Sequence, residues 1–203
     1  MKKIILTVFA ASSLLLYSTP SFALVSLSVG IPMSQTISGN TGDDASYDMA
    51  YGNAPDKTGG YFLGVGFLSF GIGIDSYTTK FKTGSCNGCF GTTSATSRGL
   101  KTNMTNIFYL LPVPVVNLII GLGTGTQEYD CKDADGDGNP CSKYYDKGSA
   151  TQWYTSIGMP IIPFFDIHLS YRSITGKIIK FKRDGVKDDN SGSVTGIGLA
   201  FNF

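Results

Sequence analysis

The chain has 203 residues, a formal net charge of +1, 42% hydrophobic and 12% aromatic residues, 26 glycines and a single histidine. A near-neutral chain without a basic patch is not built to hold nucleic acid. Past the first twenty residues no segment keeps a 3.6-residue apolar period or an apolar run of about 20, which excludes helical bundles and helical membrane spans.

The first stretch reads as a secretory leader. Lys2 and Lys3 give a basic start, Ile4 to Leu16 is mostly apolar, and Ser21-Phe22-Ala23 is a small-any-small cleavage site. The apolar run falls short of about 20 residues and Pro20 interrupts it, which argues against a retained anchor. The expectation is a signal peptide over 1–23, cut before Leu24, and one mature domain over 24–203. No Cys follows the cut, so lipid anchoring is not indicated. Losing Lys2 and Lys3 takes the formal charge to about −1.

Eight strand-like runs follow. They are Val25 to Ser34, Gly59 to Leu68, Phe70 to Phe81, Lys101 to Leu111, Val115 to Tyr129, Ala150 to Met159, Phe164 to Lys177 or beyond, and Ser193 to Phe203. Tyr61, Leu63, Val65 and Phe67 alternate with glycines, as do Phe70, Ile72 and Ile74, and a strand puts such alternate residues on opposite faces. In the last run Thr195, Ile197, Leu199, Phe201 and Phe203 share one face, and Val194, Gly196, Gly198, Ala200 and Asn202 the other. A large apolar face opposite a small or polar one is inverted for a soluble sandwich. It fits a barrel whose bulky face meets lipid and whose inner face lines a crowded lumen.

The connections alternate strictly. Those at Leu68-Ser69, Pro112-Val113-Pro114 and Pro160 to Pro163 are tight; those at Gln35 to Thr58, Lys82 to Gly99, Asp130 to Ser149 and Ile178 to Gly192 are long and polar. Short turns on one side and long loops on the other are the plan of membrane barrels, with both chain ends on the short-turn side. The predicted fold is all-β: an eight-stranded antiparallel up-and-down transmembrane β-barrel. Every backbone group is then satisfied within lipid, which an open sheet cannot achieve. Two tight turns repeat a pattern, Pro114-Val115-Val116-Asn117-Leu118-Ile119 and Pro163-Phe164-Phe165-Asp166-Ile167-His168. This gives Asn117 and Asp166 matching inward positions near the short-turn rim.

Asp166, His168, Ser170 and Arg172 occupy alternate positions of the seventh run and include the residue types of a catalytic triad. Neighbours two apart on one strand lie roughly 6.5–7 Å apart, beyond the reach of proton transfer. With Phe165, Ile167, Leu169 and Tyr171 facing lipid, the polar row is expected to form an interior network. Arg172 is then paired with a carboxylate such as Asp75, Asp166 or Glu128.

The third long loop contains Cys131-Lys132-Asp133-Ala134-Asp135-Gly136-Asp137-Gly138-Asn139-Pro140-Cys141. Its Asp-any-Asp-any-Asp-Gly spacing can aim Asp133, Asp135, Asp137 and Asn139 at one Ca2+, and it resembles the calcium loops of EF-hands and thrombospondin-type repeats. Tyr144 stands where a bidentate Glu is usual, and a solvated acidic tip is the alternative. All four cysteines, Cys86, Cys89, Cys131 and Cys141, fall in the predicted long loops. An exported chain meets an oxidising compartment, so disulfides are expected. Three pairings are open, with local pairing, Cys86–Cys89 and Cys131–Cys141, preferred. No helix start or neighbouring base lowers a thiol pKa for redox work at Cys86-Asn87-Gly88-Cys89. A site of four thiolates for zinc is a remote alternative.

The ending resembles the C-terminal assembly signal of bacterial outer-membrane proteins: polar, any, Gly, two residues, hydrophobic, any, terminal aromatic. Gly198, Phe201 and Phe203 match, while Gly196 stands where a polar residue is usual. In pattern, the mature chain resembles the small eight-stranded outer-membrane barrels to which the OmpA transmembrane domain and OmpX-type proteins belong. The resemblance implies a place in the outer membrane of a Gram-negative cell. It also implies delivery by periplasmic chaperones and the barrel-assembly machinery, and contact with outer-membrane lipid and lipopolysaccharide. Tyr171-Arg172-Ser173-Ile174-Thr175-Gly176 is similar in its first two residues to the Tyr-Arg-His-any-Ser-Asn stretch of lipid A deacylases. Ser173 and Thr175 replace the catalytic pair, so that activity does not carry over.

The function expected from these residues is a non-enzymatic barrel, without cofactor unless Ca2+ binds, that anchors surface loops in a structural or binding role. The alternatives are a narrow conduit, motivated by inward glycines (Gly60, Gly64, Gly66, Gly71, Gly73, Gly121, Gly123, Gly196 and Gly198), and a lipid-modifying enzyme.

Overall fold

The computed structural model describes residues 24–38, 55–81, 99–113, 116–130, 141–143, 145–162, 164–179 and 187–203. Among these residues nine strands run in order: β1 (Val25–Ile37), β2 (Pro55–Phe67), β3 (Phe70–Phe81), β4 (Gly99–Val113), β5 (Val116–Asp130), β6 (Gly148–Ile162), β7 (Phe165–Ile179), β8 (Lys187–Asp189) and β9 (Gly192–Asn202). Among the described residues the one helical piece is a 3-10 turn, Cys141–Lys143.

Strands β1 to β7 each pair antiparallel with their chain neighbours, β7 also pairs with β9, and β9 with β1. The eight long strands thus close a barrel. β8 makes a short separate ladder with the end of β7. At the seam, Val25 N donates to Phe203 O at 3.1 Å and Phe203 N to Val25 O at 2.8 Å. Closure removes the unpaired edge that would otherwise template aggregation.

The wall is inverted relative to a soluble protein. Leu27, Val65, Ile72, Ile107, Leu122 and Leu169 are exposed, while Gln35, Asp75, Asn106, Gln152, Asp166 and Arg172 are buried. Only lipid makes this arrangement favourable, because each large apolar side chain left in water forgoes about 1.5–3 kcal/mol. Aromatic side chains flank the apolar band. On the long-loop side Trp153 packs against Tyr171 with ring centroids 5.8 Å apart. On the tight-turn side Phe70 meets Tyr109 at 4.9 Å and Phe165 meets Phe201 at 4.5 Å. Such girdles mark the two interfaces of a membrane barrel.

Several strands outrun the alternation that announces them. In β1 the register shifts between Pro32 and Ser34, leaving Met33 as the bulged residue. Proline has no ladder donor and is tolerated at a bulge. Past it Gln35, placed by pattern in a loop, turns inward and is buried. Positions 55–58, also read as loop, belong to β2, with Lys57 and Thr58 in its regular register and Pro55 beyond a second shift, between Pro55 and Lys57. Leu68 (φ 56°) and Phe164 (φ 77°) adopt the left-handed region at two of the tight turns, a cost of about 1–2 kcal/mol each for a side chain with Cβ.

The inward glycines do not leave a bore. A Cβ on Gly121 would come within 2.1 Å of the Tyr154 ring, and one on Gly71 within 2.1 Å of the Phe108 ring. Gly121 and Gly71 thus each answer a large inward ring on the adjacent strand. Gly60 departs from the expected set altogether: it is exposed, at φ 148°.

Candidate functional site

The site with the most chemistry is the interior itself, which is layered along the barrel axis. Nearest the tight turns lies Asp166, on β7. Its Oδ2 accepts hydrogen bonds from Asn117 Nδ2 of β5 and, at 2.8 Å, from Asn202 Nδ2 of β9. One turn of the pleat higher, His168 Nε2 stands 3.7 Å from Asp166 Oδ2. Its Nδ1 is 3.1 Å from Ser156 Oγ on β6.

The next layer is built around Arg172. Its Nε donates to Asp75 Oδ2 of β3 at 3.1 Å, and its Nη1 to Ser170 Oγ at 2.6 Å. Gln152 Nε2 donates to Asp75 Oδ2 at 2.6 Å and to Asn106 Oδ1 at 2.5 Å. The guanidinium carbon lies 3.5 Å from the Phe62 ring centroid and 4.8 Å from that of Tyr154. A buried charge persists only when paired and hydrogen-bonded, and here the carboxylate and the two ring faces share that work.

Above this, Tyr77, Met104, Ala150, Ile174 and Val194 join Phe62 in an apolar layer across the lumen. A second polar level follows, in which Thr79 Oγ1 donates to Gln35 Oε1 and Gln127 Nε2 to Thr102 Oγ1 at 3.4 Å. Phe81 and Leu100, with Ile37, Tyr129 and Tyr145, form the top layer. Outside, toward the long loops, Glu128 pairs with Lys147 at 2.9 Å and with Lys101 at 3.5 Å.

Of the residues singled out from sequence, Asp75, Asp166, His168 and Arg172 all lie buried inside the barrel. They form two clusters, Asp75 with Arg172 and Asp166 with His168. Arg172 takes Asp75, not Asp166 or Glu128, as its carboxylate. Ser156, on the neighbouring strand, is the hydroxyl that reaches His168, while Ser170 serves Arg172. Ser156, Asn106, Gln152, Phe62 and Tyr154 were not singled out, and the signal that finds them is their inward parity on strands β2, β4 and β6. Gly198 pairs with Gly30 on one side and His168 on the other, Phe201 lies against Phe165, and Phe203 is exposed. Cys86, Cys89, Cys131, Asp133, Asp135, Asp137 and Asn139 lie outside the described residues, and Cys141 opens the 3-10 turn.

Ser156, His168 and Asp166 bring together the residue types for acyl transfer, but not the space. His168 Nε2 makes no hydrogen bond among the described residues, Asp166 Oδ2 standing 3.7 Å away, and the ring borders two small cavities of about 50 and 10 Å³. Such volumes suit a few waters, far below the roughly 300 Å³ of a small-molecule pocket.

The closed ring, the inverted wall and the aromatic girdles define a small transmembrane β-barrel. No protein-family model matches the chain, and no curated protein matches it in sequence. Among solved structures, Neisserial surface protein A matches with a TM-score of 0.54 at 11% identity, over 88% of this chain and 96% of that one. Outer membrane protein W of E. coli gives 0.47 at 12% identity, over 87% and 97%. Ail, the attachment invasion locus protein of Yersinia pestis, gives 0.42 at 16%, over 88% and 97%. At these identities the likeness is one of fold: the chain has the fold of the small eight-stranded outer-membrane barrels.

Proposed function

We propose that the protein is a non-enzymatic, non-conducting barrel of the outer membrane that holds long loops at the cell surface for a structural or binding role. The observation that carries this reading is the packed lumen, where an apolar layer of Tyr77, Met104, Ala150, Ile174 and Val194 overlies the Asp75–Arg172 pair. Eight strands leave an interior that side chains can fill. The leader is removed near Ala23, chaperones and the assembly machinery deliver the chain, and Phe203 with Phe201 and Gly198 serves as the assembly signal. The loops are stapled locally by Cys86–Cys89 and Cys131–Cys141, and the acidic tip takes Ca2+ weakly.

The test is single-channel recording of the refolded protein in planar bilayers. A silent membrane supports the plug. Steady conductance that Arg172→Ala leaves unchanged overturns it and favours the conduit.

A further inference from the structure

The outer wall changes character above the apolar band. On the long-loop side of Tyr61, Trp153 and Tyr171 many outward positions are small hydroxyl residues, including Thr105, Thr126, Thr151, Thr175 and Thr195. Some of these pair across strands, as Ser34 with Thr195 and Thr36 with Ser193, each at 2.8 Å. A hydroxyl-lined collar is wasted on hydrocarbon and suits sugar and phosphate.

Charge on the collar is lopsided. On β2 and β3, Lys57 and Lys80 lie directly opposite one another in the ladder, and both are exposed. Like charges in that position are destabilising. The pairing continues the unbroken register of the β2–β3 hairpin, which runs from Phe67 opposite Phe70 to Lys57 opposite Lys80. The bulge in β2 lies just beyond it, where Phe81 pairs with Pro55 and Asp56 is left without a partner in the ladder. Among the described residues no carboxylate lies within 4 Å of either ammonium. Lys101, on the next strand, adds a third cation that shares Glu128 with Lys147. A repulsive pair is retained at low cost when something anionic sits between its members.

Height identifies that anion. Lys57 is four residues beyond the outward ring of Tyr61, which at about 3.3 Å per residue and a tilt near 40° sets it roughly 10 Å above the aromatic girdle. That is the headgroup level of the outer leaflet. We propose that Lys57 and Lys80, with Lys101 beside them, form a clamp for the phosphate of an anionic glycolipid headgroup, whose sugar hydroxyls rest on the threonine collar. The assignment rests on the outer-membrane reading above. It adds a specific lipid site on the β2–β4 wall, where ammonium-to-phosphate hydrogen bonds are charge-assisted.

The test is native mass spectrometry of the refolded protein in detergent, with bis-phosphorylated lipid A, with enzymatically dephosphorylated lipid A and with inorganic phosphate as probes. Lys57→Gln/Lys80→Gln keeps both aliphatic stems. Lys177→Gln, on β7 opposite Asp189 in register, is the control. The expected result is retention of the phosphorylated lipid by the wild type and the control, weakened about tenfold or more in the double variant, with little retention of the phosphate-free lipid. A crossover in stability gives a second readout. Without lipid the double variant should be at least as stable as the wild type, and with phosphorylated lipid A less stable. Equal retention by the wild type and the double variant, or by phosphorylated and phosphate-free lipid, overturns the clamp. Binding of inorganic phosphate that depends on the same two lysines overturns the lipid as its source. Because binding is read in detergent on folded protein, failure here leaves the cellular location to be judged by membrane fractionation.

Discussion

Asp75 and Arg172 are 97 positions apart in the chain and meet at 3.1 Å in the centre of the lumen, carried there by β3 and β7, which do not pair with each other. Their contact spans the barrel and fixes opposite walls at one spacing. Gln152 and Asn106 extend the tie to β6 and β4.

Removing one partner should cost more than removing both. Asp75→Ala leaves a buried guanidinium without its carboxylate, a loss of about 3–5 kcal/mol. Asp75→Leu with Arg172→Met should cost clearly less, because apolar groups of similar volume carry no desolvation penalty. Urea unfolding of the refolded barrel, followed through the single Trp, Trp153, measures both. A single variant no less stable than the double would rule out the pair as the interior tie.

The two faces of β7 should respond oppositely to charge. Leu169 is 55% exposed on the wall, whereas Ser170 and its polar neighbours point inward. Leu169→Arg sets a cation in lipid at a cost of roughly 2–4 kcal/mol near the midplane. Ser170→Ala loses one hydrogen bond to Arg172, worth about 1–3 kcal/mol if the donor is left bare. Leu169→Arg should therefore lower folded yield in vesicles more. Equal yields would mean that the register is displaced by one residue, which swaps the faces.

Much of this architecture is legible in the chain. Phe70 to Phe81 is bounded to the residue, because Phe70, Ile72 and Ile74 alternate cleanly with small partners and a two-residue turn precedes them. The inward parity of Asp166, His168 and Arg172 follows from the same period, and the Pro-centred repeat places Asn117 and Asp166 at matching sites, where they share a hydrogen bond. What period alone cannot give is register and phase. Ser156 reaches His168 only because β6 and β7 pair with Ser156 opposite Ser170. The bulge at Met33 flips the residues beyond it, so Gln35 reads as loop although it is in a strand, while Lys57 continues the β2–β3 register through a polar stretch that carries no apolar alternation. A glycine row reads equally as a bore or as seats for rings. Which it is depends on Phe108 and Tyr154, one strand away.

Phe203 and Val25 exchange two backbone hydrogen bonds at the seam. Deleting Phe203 removes that last closed pair and the terminal aromatic together. The heat-modifiable folded form in outer membranes should fall several-fold, each lost hydrogen bond being worth about 1 kcal/mol on top of slower recognition. Val25→Pro, which removes only the donor from Val25 N, should have a smaller effect. Unchanged folded yield after deletion would count against both the seam and the signal.

The third long loop tests whether a staple and an ion are coupled. Pairing of Cys131 with Cys141 closes a short ring around Asp133, Asp135 and Asp137 and constrains the unfolded loop by about 3 kcal/mol in the chain-entropy account. The ring also holds three carboxylates near one another, and like charges so placed repel unless a cation offsets them. Oxidised protein should therefore release heat with millimolar calcium in a titration, and reduced protein should release less. Calcium should also slow proteolysis of the oxidised loop, and Asp135→Asn should abolish both effects while leaving the barrel folded. No heat from the oxidised protein removes the ion from this picture. A mass map joining Cys86 or Cys89 to Cys131 or Cys141 removes the local staple and ties the second and third loops into one cap.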